Sequence, residues 1–380
     1  MREGSVTAAG ARRLGALALV ALLPWVSSGC DAASARQPTA EPVSSTAQRS
    51  ASPQAKKTAP AALPGAALFA SRSSCLDALA RLEPRAPGKA RIASWNLRWF
   101  PDGVPGKGGQ PTGIDLEWLA CAIAGLRLDV VAVQEIKANR NAQRAAKALI
   151  ARLDAHTKGA WRLELDHCPN PSGQHVGLLF DSARVRATSL HTYGALNPHG
   201  SACRKQLRPA FGAYLALPGG LDLHLLSVHL KSGRSRRDHE LRRRSWSGLQ
   251  AVVQTARRQH PDTDIVIAGD FNTMGCSRCA PPLAAEDELR QLDTLLAGAA
   301  LRRLPSNLPC SQYHRRGGTL LDHIAVASDM QEVPAGATTI VESYCAAANC
   351  SRLGRPTPLA YQRLSDHCPV VLELSDADLD

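Results

Sequence analysis

Polar side chains repeatedly follow short apolar runs in this chain, at the points where predicted strands end. The end of a buried strand can hold a side chain rigidly in a cleft. The residues in such positions are Asn96, Glu135, His229, Asp270, Asn272, Asp322, Asp366 and His367. One residue of this kind means little, but six such strand ends together predict a single functional site.

These candidate residues are carboxylates, amides and imidazoles. The sequence has no Ser-His-Asp order and no glycine-rich phosphate-binding loop, so acyl transfer and nucleoside triphosphate hydrolysis are disfavoured. Oxygen ligands suit a hard cation, with Mg²⁺ expected first and Mn²⁺ or Ca²⁺ as alternatives. A metal beside a histidine base is suited to in-line attack of water on a phosphodiester.

Apolar periodicity predicts alternating strands and helices around these residues. Strands are predicted at 90–96, 128–135, 175–180, 211–217, 221–230, 264–270, 320–326 and 368–374, and helices at 66–82, 116–126, 142–153, 238–258 and 286–296. Residues 221–229 alternate like a half-buried strand, whereas Ile265–Ala268 are continuously apolar, as in a strand covered on both faces. The pattern predicts packed sheets covered by helices in one catalytic domain, residues 66–380.

Six short motifs resemble those of the endonuclease/exonuclease/phosphatase superfamily and occur in that family's order. They are Ser94-Trp95-Asn96-Leu97, Val133-Gln134-Glu135, Ser227-Val228-His229-Leu230-Lys231, Gly269-Asp270-Phe271-Asn272, Leu321-Asp322-His323-Ile324 and Ser365-Asp366-His367-Cys368-Pro369-Val370. The Gly-Asp-x-Asn motif followed by Ser-Asp-His-x-Pro-Val is the most specific part. The resemblance implies an α/β fold, a four-layer α/β/β/α sandwich of two mixed sheets, as in deoxyribonuclease I.

The resemblance also implies which residues would hold the metal. Glu135 would be the central ligand, with Asn96 and Asp366 nearby on metal or phosphate. Arg208 and Lys231 are candidate phosphate contacts, although both residues are equally compatible with an ordinary surface role.

By the same resemblance, His367 would be the base that activates water, and Asp322 would orient it and stabilise the imidazolium. Asp270 would orient or help to deprotonate the water. Asn272 would hold a phosphate oxygen, and His229 would stabilise the charge of the transition state or assist the leaving oxygen.

Two further histidines carry weaker signals. His323 is interpreted as an outward-facing strand residue. His175 lies on a plausible central strand, where a core role and a site role remain equally open.

The charge of the chain favours a polyanionic partner. The formal net charge is +12, and a chain starting at Cys30 would carry +10. A run of arginines follows the His229 strand and would draw phosphate backbones electrostatically: Arg234, Arg236, Arg237, Arg242, Arg243 and Arg244. The alternative is that part of this run is merely solvated and that arginine content reflects a GC-rich genome.

The first 29 residues have the parts of an export signal: Arg12-Arg13, an apolar run 14–26, and small residues before Cys30. Gly29-Cys30 resembles a bacterial lipoprotein signal, which would tether the protein to a membrane through a lipidated Cys30. Cleavage near residues 33–35 without lipidation is the competing outcome. Either outcome predicts export.

Residues 30–65 are rich in Ala, Ser, Pro, Thr and Gln and predict a disordered linker. Ten cysteines follow it, an even number that suits disulfides in an exported protein: Cys75, Cys121, Cys168, Cys203, Cys276, Cys279, Cys310, Cys345, Cys350 and Cys368. For Cys276-x-x-Cys279 a disulfide or a buried thiol is favoured over a zinc or redox motif. Whether Cys368 is bridged or free stays open.

A nuclease acting on DNA, or on RNA, is the favoured interpretation, as a monomer with no protein partner. The chain lacks the Asn-Tyr-Arg and Cys-Asp-Arg motifs of inositol phosphatases, and aromatic residues make up only 4% of it, few for docking on lipid. Repair of abasic sites fits poorly with export. A phosphodiesterase or phosphatase acting on lipid or small-molecule phosphoesters is the main alternative. A non-catalytic nucleic-acid-binding surface module is the alternative from another class.

Overall fold

The computed structural model describes residues 65–83, 85, 87–103, 112–170, 172–200, 203 and 207–380. The predicted export signal, Cys30 and the predicted linker up to residue 64 lie outside these residues. Within the described part of the chain, no helix is long and apolar enough to cross a membrane.

Two six-stranded sheets form the centre of the molecule. The first has the strand order β13-β14-β1-β2-β4-β3. Its strands are β1 (Lys89–Phe100), β2 (Val130–Ile136), β3 (Trp161–Leu165), β4 (His175–Asp181), β13 (Ile340–Val341) and β14 (Val370–Ser375). The second sheet has the order β5-β6-β7-β8-β12-β9. Its strands are β5 (Arg186–Tyr193), β6 (Ala210–Ala216), β7 (Asp222–His229), β8 (Ile265–Asp270), β9 (Leu301–Arg303) and β12 (Asp322–Ala327).

A separate hairpin pairs β10 (Gln312–His314) with β11 (Gly317–Thr319). The helices are α1 (Gly65–Leu68), α2 (Arg72–Ala80), α3 (Leu116–Gly125), α4 (Arg140–Thr157), α5 (Arg236–Trp246), α6 (Leu249–Gln259), α7 (Ala285–Gly298), α8 (Ser343–Ala347) and α9 (Leu359–Arg363). Helices α2 to α4 pack beside the first sheet, and α5 to α7 beside the second. The two sheets pack face to face, so the layers are helix, sheet, sheet, helix, as predicted.

Each sheet has one parallel pair at its centre, β1 with β2 and β7 with β8. The connections run through α3 in the first sheet and through α5 and α6 in the second. Parallel strands joined in this way end at the same edge of a sheet. Because β1 and β2 also pack on β7 and β8, four strand ends converge at one edge of the sandwich.

A buried polar network joins the two sheets just behind these strand ends. Gln134 Nε2 donates to Ser227 Oγ at 3.1 Å, and Ser227 Oγ donates to the carbonyl oxygen of Val133 at 3.0 Å. These hydrogen bonds are buried away from water, so a polar group that lost its partner would remain unpaired. The network therefore favours one alignment of the two facing sheets.

The eight predicted strands are all present, with ends shifted by a few residues, and three of the five predicted helices are single helices. The helix predicted at 238–258 is divided at Ser247-Gly248, and at Gly248 a side chain would collide with the backbone carbonyl of Ala195. The helix predicted at 66–82 is also divided, into α1 and α2. The half-buried interpretation of β7 is wrong, since the strand is buried on both faces from Leu223 to His229.

The arginine run holds one member that is not a surface cation. Arg242 is fully buried, and its Nε and Nη2 lie 2.8 and 3.1 Å from the two carboxylate oxygens of Glu288. Its Nη1 donates to the carbonyl oxygens of Lys231 and Gly233, and its Nη2 to that of Gly275. This ion pair therefore fixes the two loops that follow β7 and β8.

Replacing Glu288 by glutamine is expected to lower the free energy of unfolding by about 3–5 kcal/mol, because Arg242 would keep its buried charge without a counter-charge. Urea unfolding followed by circular dichroism measures the change. The matched control is Glu240→Gln, which removes the exposed partner of Arg236 and is expected to cost less than about 1 kcal/mol. Equal losses in the two variants would contradict the assigned anchoring role.

Candidate active site

The four converging strand ends place Asn96, Glu135, His229 and Asp270 in contact. Asn96 Nδ2 lies 3.2 Å from Glu135 Oε1 and 3.1 Å from Asp270 Oδ2, so this amide joins carboxylates from both sheets. His229 Nε2 lies 3.4 Å from Asp270 Oδ2 and 3.9 Å from Glu135 Oε1. The sequence predicts this set of four, and the structure brings all four together.

Left-handed backbone conformations direct the side chains of Glu135 and Asn272. Glu135 has φ = +62°, at an irregularity in the pairing of β2, and its Oε2 accepts from the backbone N–H of Trp99 at 3.1 Å. Asn272 has φ = +54°, and its backbone N–H donates to Asp270 Oδ1 at 2.9 Å. Left-handed conformations at non-glycine residues cost energy and cluster where a side chain must be directed at a site.

A histidine–carboxylate pair stands beside this group. His367 Nδ1 lies 2.8 Å from Asp322 Oδ2. Asp322 begins β12 directly opposite Asp270 in the register, and His367 Nε2 lies 3.9 Å from Asp270 Oδ2. With Nδ1 held by Asp322, Nε2 is the nitrogen that faces the shared cleft.

Two serines to which the sequence analysis assigned no role hold this pair in place. Ser311 Oγ donates to Asp322 Oδ2 at 2.7 Å and accepts from the backbone N–H groups of Leu321 and Asp322. Ser365 Oγ donates to the carbonyl oxygen of Asn96 at 2.6 Å and accepts from the N–H of His367 at 3.0 Å. Ser365 belongs to the recognised Ser-Asp-His motif, whereas no sequence pattern marks Ser311.

Burial and neighbouring charges set the protonation of the site. Burial, together with the charges of Asp322 and Glu135, raises the pKa of Asp270 to about 7. Burial and the nearby Asp366 also raise the pKa of Glu135. In the absence of a cation, this site therefore binds protons that ordinary carboxylates would have lost.

The two histidines respond in opposite directions. Burial and the positive charges of Arg208 and His367 hold the pKa of His229 well below its usual value, so His229 is neutral. Burial lowers the pKa of His367, but Asp322, followed by Asp270, outweighs it and raises this pKa to about 10. Opposed pKa shifts of neighbouring groups are typical of acid–base sites.

The remaining predicted site residues lie at the margin of the cleft. Arg208 Nη2 and Asn272 Nδ2 both donate to the carbonyl oxygen of Leu230, at 3.2 and 3.1 Å. Asp366 is partly exposed, with Arg98 Nε 3.8 Å from its Oδ1. Lys231 Nζ lies 3.0 Å from Asp238 Oδ1, so this cation is already paired.

Two histidines lie away from the reacting groups. His323, interpreted from sequence as outward-facing, is buried, and its Nε2 hydrogen-bonds Thr273 Oγ1 at 2.8 Å; that interpretation is wrong. Burial holds its pKa at about 3. His175 is a satisfied core residue, since Nδ1 lies 2.9 Å from Asp166 Oδ1 and Nε2 lies 2.7 Å from the carbonyl oxygen of Asn170.

The ten cysteines of the described region form five disulfides: Cys75–Cys121, Cys168–Cys203, Cys276–Cys279, Cys310–Cys350 and Cys345–Cys368. The disulfide interpretation of Cys276-x-x-Cys279 is confirmed. Cys368, adjacent to His367, is bridged and therefore anchors the His367 segment to α8.

The donor chemistry of the cleft fits a hard divalent cation. Glu135, Asp366 and Asp270 supply carboxylate oxygens, and burial together with neighbouring carboxylates raises the pKa of Glu135 and of Asp270. Asp270, Asp322 and His367 also place ligand atoms within 4.8 Å of one another. His367 Nδ1 is engaged by Asp322, however, so the oxygens around Glu135 are the better ligand set. Asn96 turns its amide nitrogen toward both carboxylates here, and its metal role stays a prediction.

Glu135→Gln is expected to raise the Mg²⁺ concentration for half-maximal activity by at least about 10-fold, because a neutral amide would replace the carboxylate predicted to be the central ligand. Titration of Mg²⁺ into the metal-stripped enzyme during turnover measures the shift. Glu164→Gln, at a carboxylate in β3 outside the cleft, is the control. An unchanged Mg²⁺ requirement in the Glu135 variant would remove Glu135 from the ligand set.

Two facing mixed sheets with carboxylates, amides and a His–Asp pair at one edge define the class of hydrolases with the deoxyribonuclease I-like fold. The sequence profile described as "Endonuclease/Exonuclease/phosphatase family" matches residues 83–367, and the chain belongs to this family.

Solved structures agree with this fold. An endonuclease/exonuclease/phosphatase from Bacteroides vulgatus aligns with a TM-score of 0.52 and 14% identity, over 77% of this chain and 99% of that one. A family protein from Bacteroides thetaiotaomicron aligns with a TM-score of 0.50 and 15% identity, over 78% and 100% of the two chains. A search among curated proteins finds no match.

Proposed function

We propose that this protein is an exported, divalent-metal-dependent phosphodiesterase that hydrolyses nucleic acid, with DNA as the first substrate and RNA as the alternative. The observation that carries the proposal is the His367–Asp322 pair, held at 2.8 Å with the second imidazole nitrogen facing Asp270 and the carboxylate cluster. This arrangement supports the activation of a water molecule beside a phosphoester.

The residues of the chain divide the chemical work. A bound divalent cation would polarise the phosphoryl oxygens and neutralise their charge. The deprotonated form of His367, the minority form at neutral pH because its pKa is raised to about 10, takes a proton from the attacking water at Nε2, and Asp322 stabilises the imidazolium that results. Asp270 orients that water.

Three further side chains act on the phosphoryl group. Because His229 is neutral, it serves as a hydrogen-bond donor to a phosphoryl oxygen and not as a cation. Asn272, whose Nδ2 donates to the carbonyl oxygen of Leu230, would hold another oxygen. Arg208 supplies positive charge near Glu135 and Asp270 without carrying a proton in the reaction.

Surface charge favours nucleic acid among phosphodiester substrates. Arg234, Arg236, Arg237, Arg243 and Arg244 are exposed in and before α5, the helix that follows the His229 strand. Such a basic flank would bind successive phosphates and lose affinity steeply as salt rises. The five disulfides support the proposed export, because disulfides persist in oxidising compartments.

A small-molecule phosphoester is the second candidate, favoured by one cavity. It has a volume of about 150 Å³ and lies between Trp99, Arg208 and the disulfide Cys168–Cys203. A cavity of this size suits one small group and not a polymer. The non-catalytic alternative is disfavoured, because it would be expected to lack Glu135, Asp270 or His367, and all three are present.

The test uses the full-length protein, purified with and without a point change at His367. Plasmid DNA, RNA, sphingomyelin and a simple aryl phosphodiester are each incubated with Mg²⁺ or with chelator. We expect DNA or RNA cleavage that requires metal and is lost in His367→Ala. Intact nucleic acid beside hydrolysed lipid or aryl ester would overturn the substrate, and turnover surviving both chelation and His367→Ala would overturn the mechanism.

A further inference from the structure

A second group of carboxylates lies at the opposite end of β8 from Asp270. Asp264 immediately precedes β8, Glu332 follows β12, and Asp380 comes from the C-terminal segment. Each residue offers one oxygen, and these oxygens lie within 4.8 Å of one another. The six-residue strand β8 separates this group from the active site by roughly 20 Å.

Two members of this group are buried with an unpaired oxygen. Asp264 and Glu332 are each 1% exposed, and Asp264 Oδ1 and Glu332 Oε2 have no hydrogen-bond donor in the described part of the chain. The carboxyl groups of Asp264 and Glu332 lie close enough to hydrogen-bond each other when one is protonated, and the N–H of Leu379 donates to Glu332 Oε1 at 2.7 Å. The neighbouring charges that act on Asp264 are all negative, from Glu332, Asp380 and Asp262.

Burying two ionised carboxylates without a counter-charge destabilises the folded protein. A buried charge without a partner either binds a proton or requires a counter-ion. Burial, Glu332 and then Asp380 raise the pKa of Asp264 to about 9, so without a cation Asp264 is protonated at neutral pH. The third carboxylate, Asp380, is exposed and held by Thr263 Oγ1 at 2.9 Å, so a cation can reach the group from solvent.

We propose that Asp264, Glu332 and Asp380 form a calcium site that fastens the C-terminal segment to the second sheet. Carboxylates with hydroxyl and backbone oxygens around them suit Ca²⁺, which accepts six to eight oxygens in flexible geometry, whereas Mg²⁺ demands a near-ideal octahedron. The site is structural, since it joins three chain segments and is remote from the reacting groups. Its loss would loosen the start of β8 and leave the active-site chemistry intact.

The segments that meet here are already connected by backbone bonds. The N–H of Ser375 donates to the carbonyl oxygen of Glu332, and the N–H of Leu221 donates to that of Asp376. These bonds position the carboxylates before the cation binds, so the site pays little ordering cost on binding.

Calcium chloride is titrated calorimetrically into the full-length Glu135→Gln protein, so that the catalytic cleft contributes little. We expect one site with a dissociation constant on the order of 10⁻⁴–10⁻³ M, the range of extracellular calcium modules. Binding at pH 7.5 is expected to release about one proton, seen as a dependence of the heat on buffer ionisation. The melting temperature is expected to rise by roughly 2–5 °C at saturating Ca²⁺.

The matched variant is Asp264→Asn with Glu332→Gln, which keeps side-chain shape and removes both charges. This variant is expected to lose both the heat of calcium binding and the calcium-dependent rise in melting temperature. In chelator its melting temperature should be no lower than that of the parent. Asp329→Asn, at an exposed acid near Glu332, is the control and should keep both responses. If the double variant does not fold, Asp380→Asn replaces it and should weaken binding at least about 10-fold.

Absence of heat and of any melting shift at about 10 mM Ca²⁺, tenfold above the weakest sites of this class, would overturn the proposal. So would an equal calcium response in the double variant. A melting temperature that responds to pH but not to calcium would assign Asp264 and Glu332 to a pair sharing a proton.

Discussion

Replacing His367 by alanine is expected to lower kcat by about 10²–10⁴-fold, the range over which a general base contributes. KM and the Mg²⁺ requirement should change little, because Glu135 and the carboxylates around it are untouched. The loss is large because His367 Nε2 is the imidazole nitrogen that faces Asp270 across the cleft. His229 does not replace it as the base, because His229 lies against Glu135 and Asp270 and burial lowers its pKa. Steady-state kinetics on the substrate identified by the cleavage assay measures it.

Rescue by a small base separates a chemical role of His367 from a structural one. The alanine variant leaves space beside Asp322, so imidazole in the buffer is expected to restore part of the activity. The control is His314→Ala, at an exposed histidine on β10, which should retain full activity. A His367→Ala enzyme within about 10-fold of the parent, or a large loss that imidazole does not restore while the variant has a lowered melting temperature, would contradict the assigned role.

The strand ends that form the site could be predicted because their signals are local. An apolar run followed by Asn96, Glu135 or Asp270 reflects burial along a strand and polarity at its end, and both properties are read directly from neighbouring residues. Parallel pairing then requires these ends to meet. The same periodicity predicts packed sheets covered by helices, whereas the four-layer arrangement of two mixed sheets is implied by the resemblance to the family.

The interactions that sharpen the site could not be predicted, because they join residues distant in sequence and carry no motif. Ser311 reaches Asp322 from a loop before the β10–β11 hairpin. Arg242 looks like one more surface cation until Glu288 is found beside it. The edge strand β5 is partly exposed and lacks a clear apolar pattern, so its sequence resembles a loop. The edge strand β3 does alternate, with Trp161, Leu163 and Leu165 apolar, but its five residues are too few for the pattern to stand out.

The pairing of the cysteines likewise could not be predicted from the sequence. Ten cysteines predict that bridges exist, but connectivity depends on which segments the fold brings together. The same is true of the Asp264, Glu332 and Asp380 group, whose members are separated by 48 or more residues along the chain. Constellations of this kind become visible only after the strands are placed.

Replacing Asp322 by asparagine is expected to move the acid limb of the pH profile of kcat/KM to lower pH and to lower its plateau at least about 10²-fold. The sign follows from the pair. The Asp322 carboxylate is the main factor that raises the pKa of His367 to about 10, against the opposing effect of burial. Without that negative charge the imidazolium is less stable, so its pKa falls and neutral His367 is available in more acidic solution.

Loss of the negative charge of Asp322 also lowers the plateau of kcat/KM. In the transition state His367 acquires the proton of the attacking water, and the asparagine amide cannot stabilise the positive charge that Asp322 stabilises. A larger fraction of the enzyme then has neutral His367, but each of these molecules reacts more slowly. Profiles at saturating Mg²⁺ are compared with those of Ser311→Ala, which keeps the charge of Asp322 but loses the 2.7 Å hydrogen bond from Ser311 Oγ and the acceptor of the Leu321 and Asp322 N–H groups. Ser311→Ala should lower the plateau less, with a smaller displacement of the limb. An Asp322→Asn profile displaced toward higher pH would mean that Asp322 does not act through the protonation of His367.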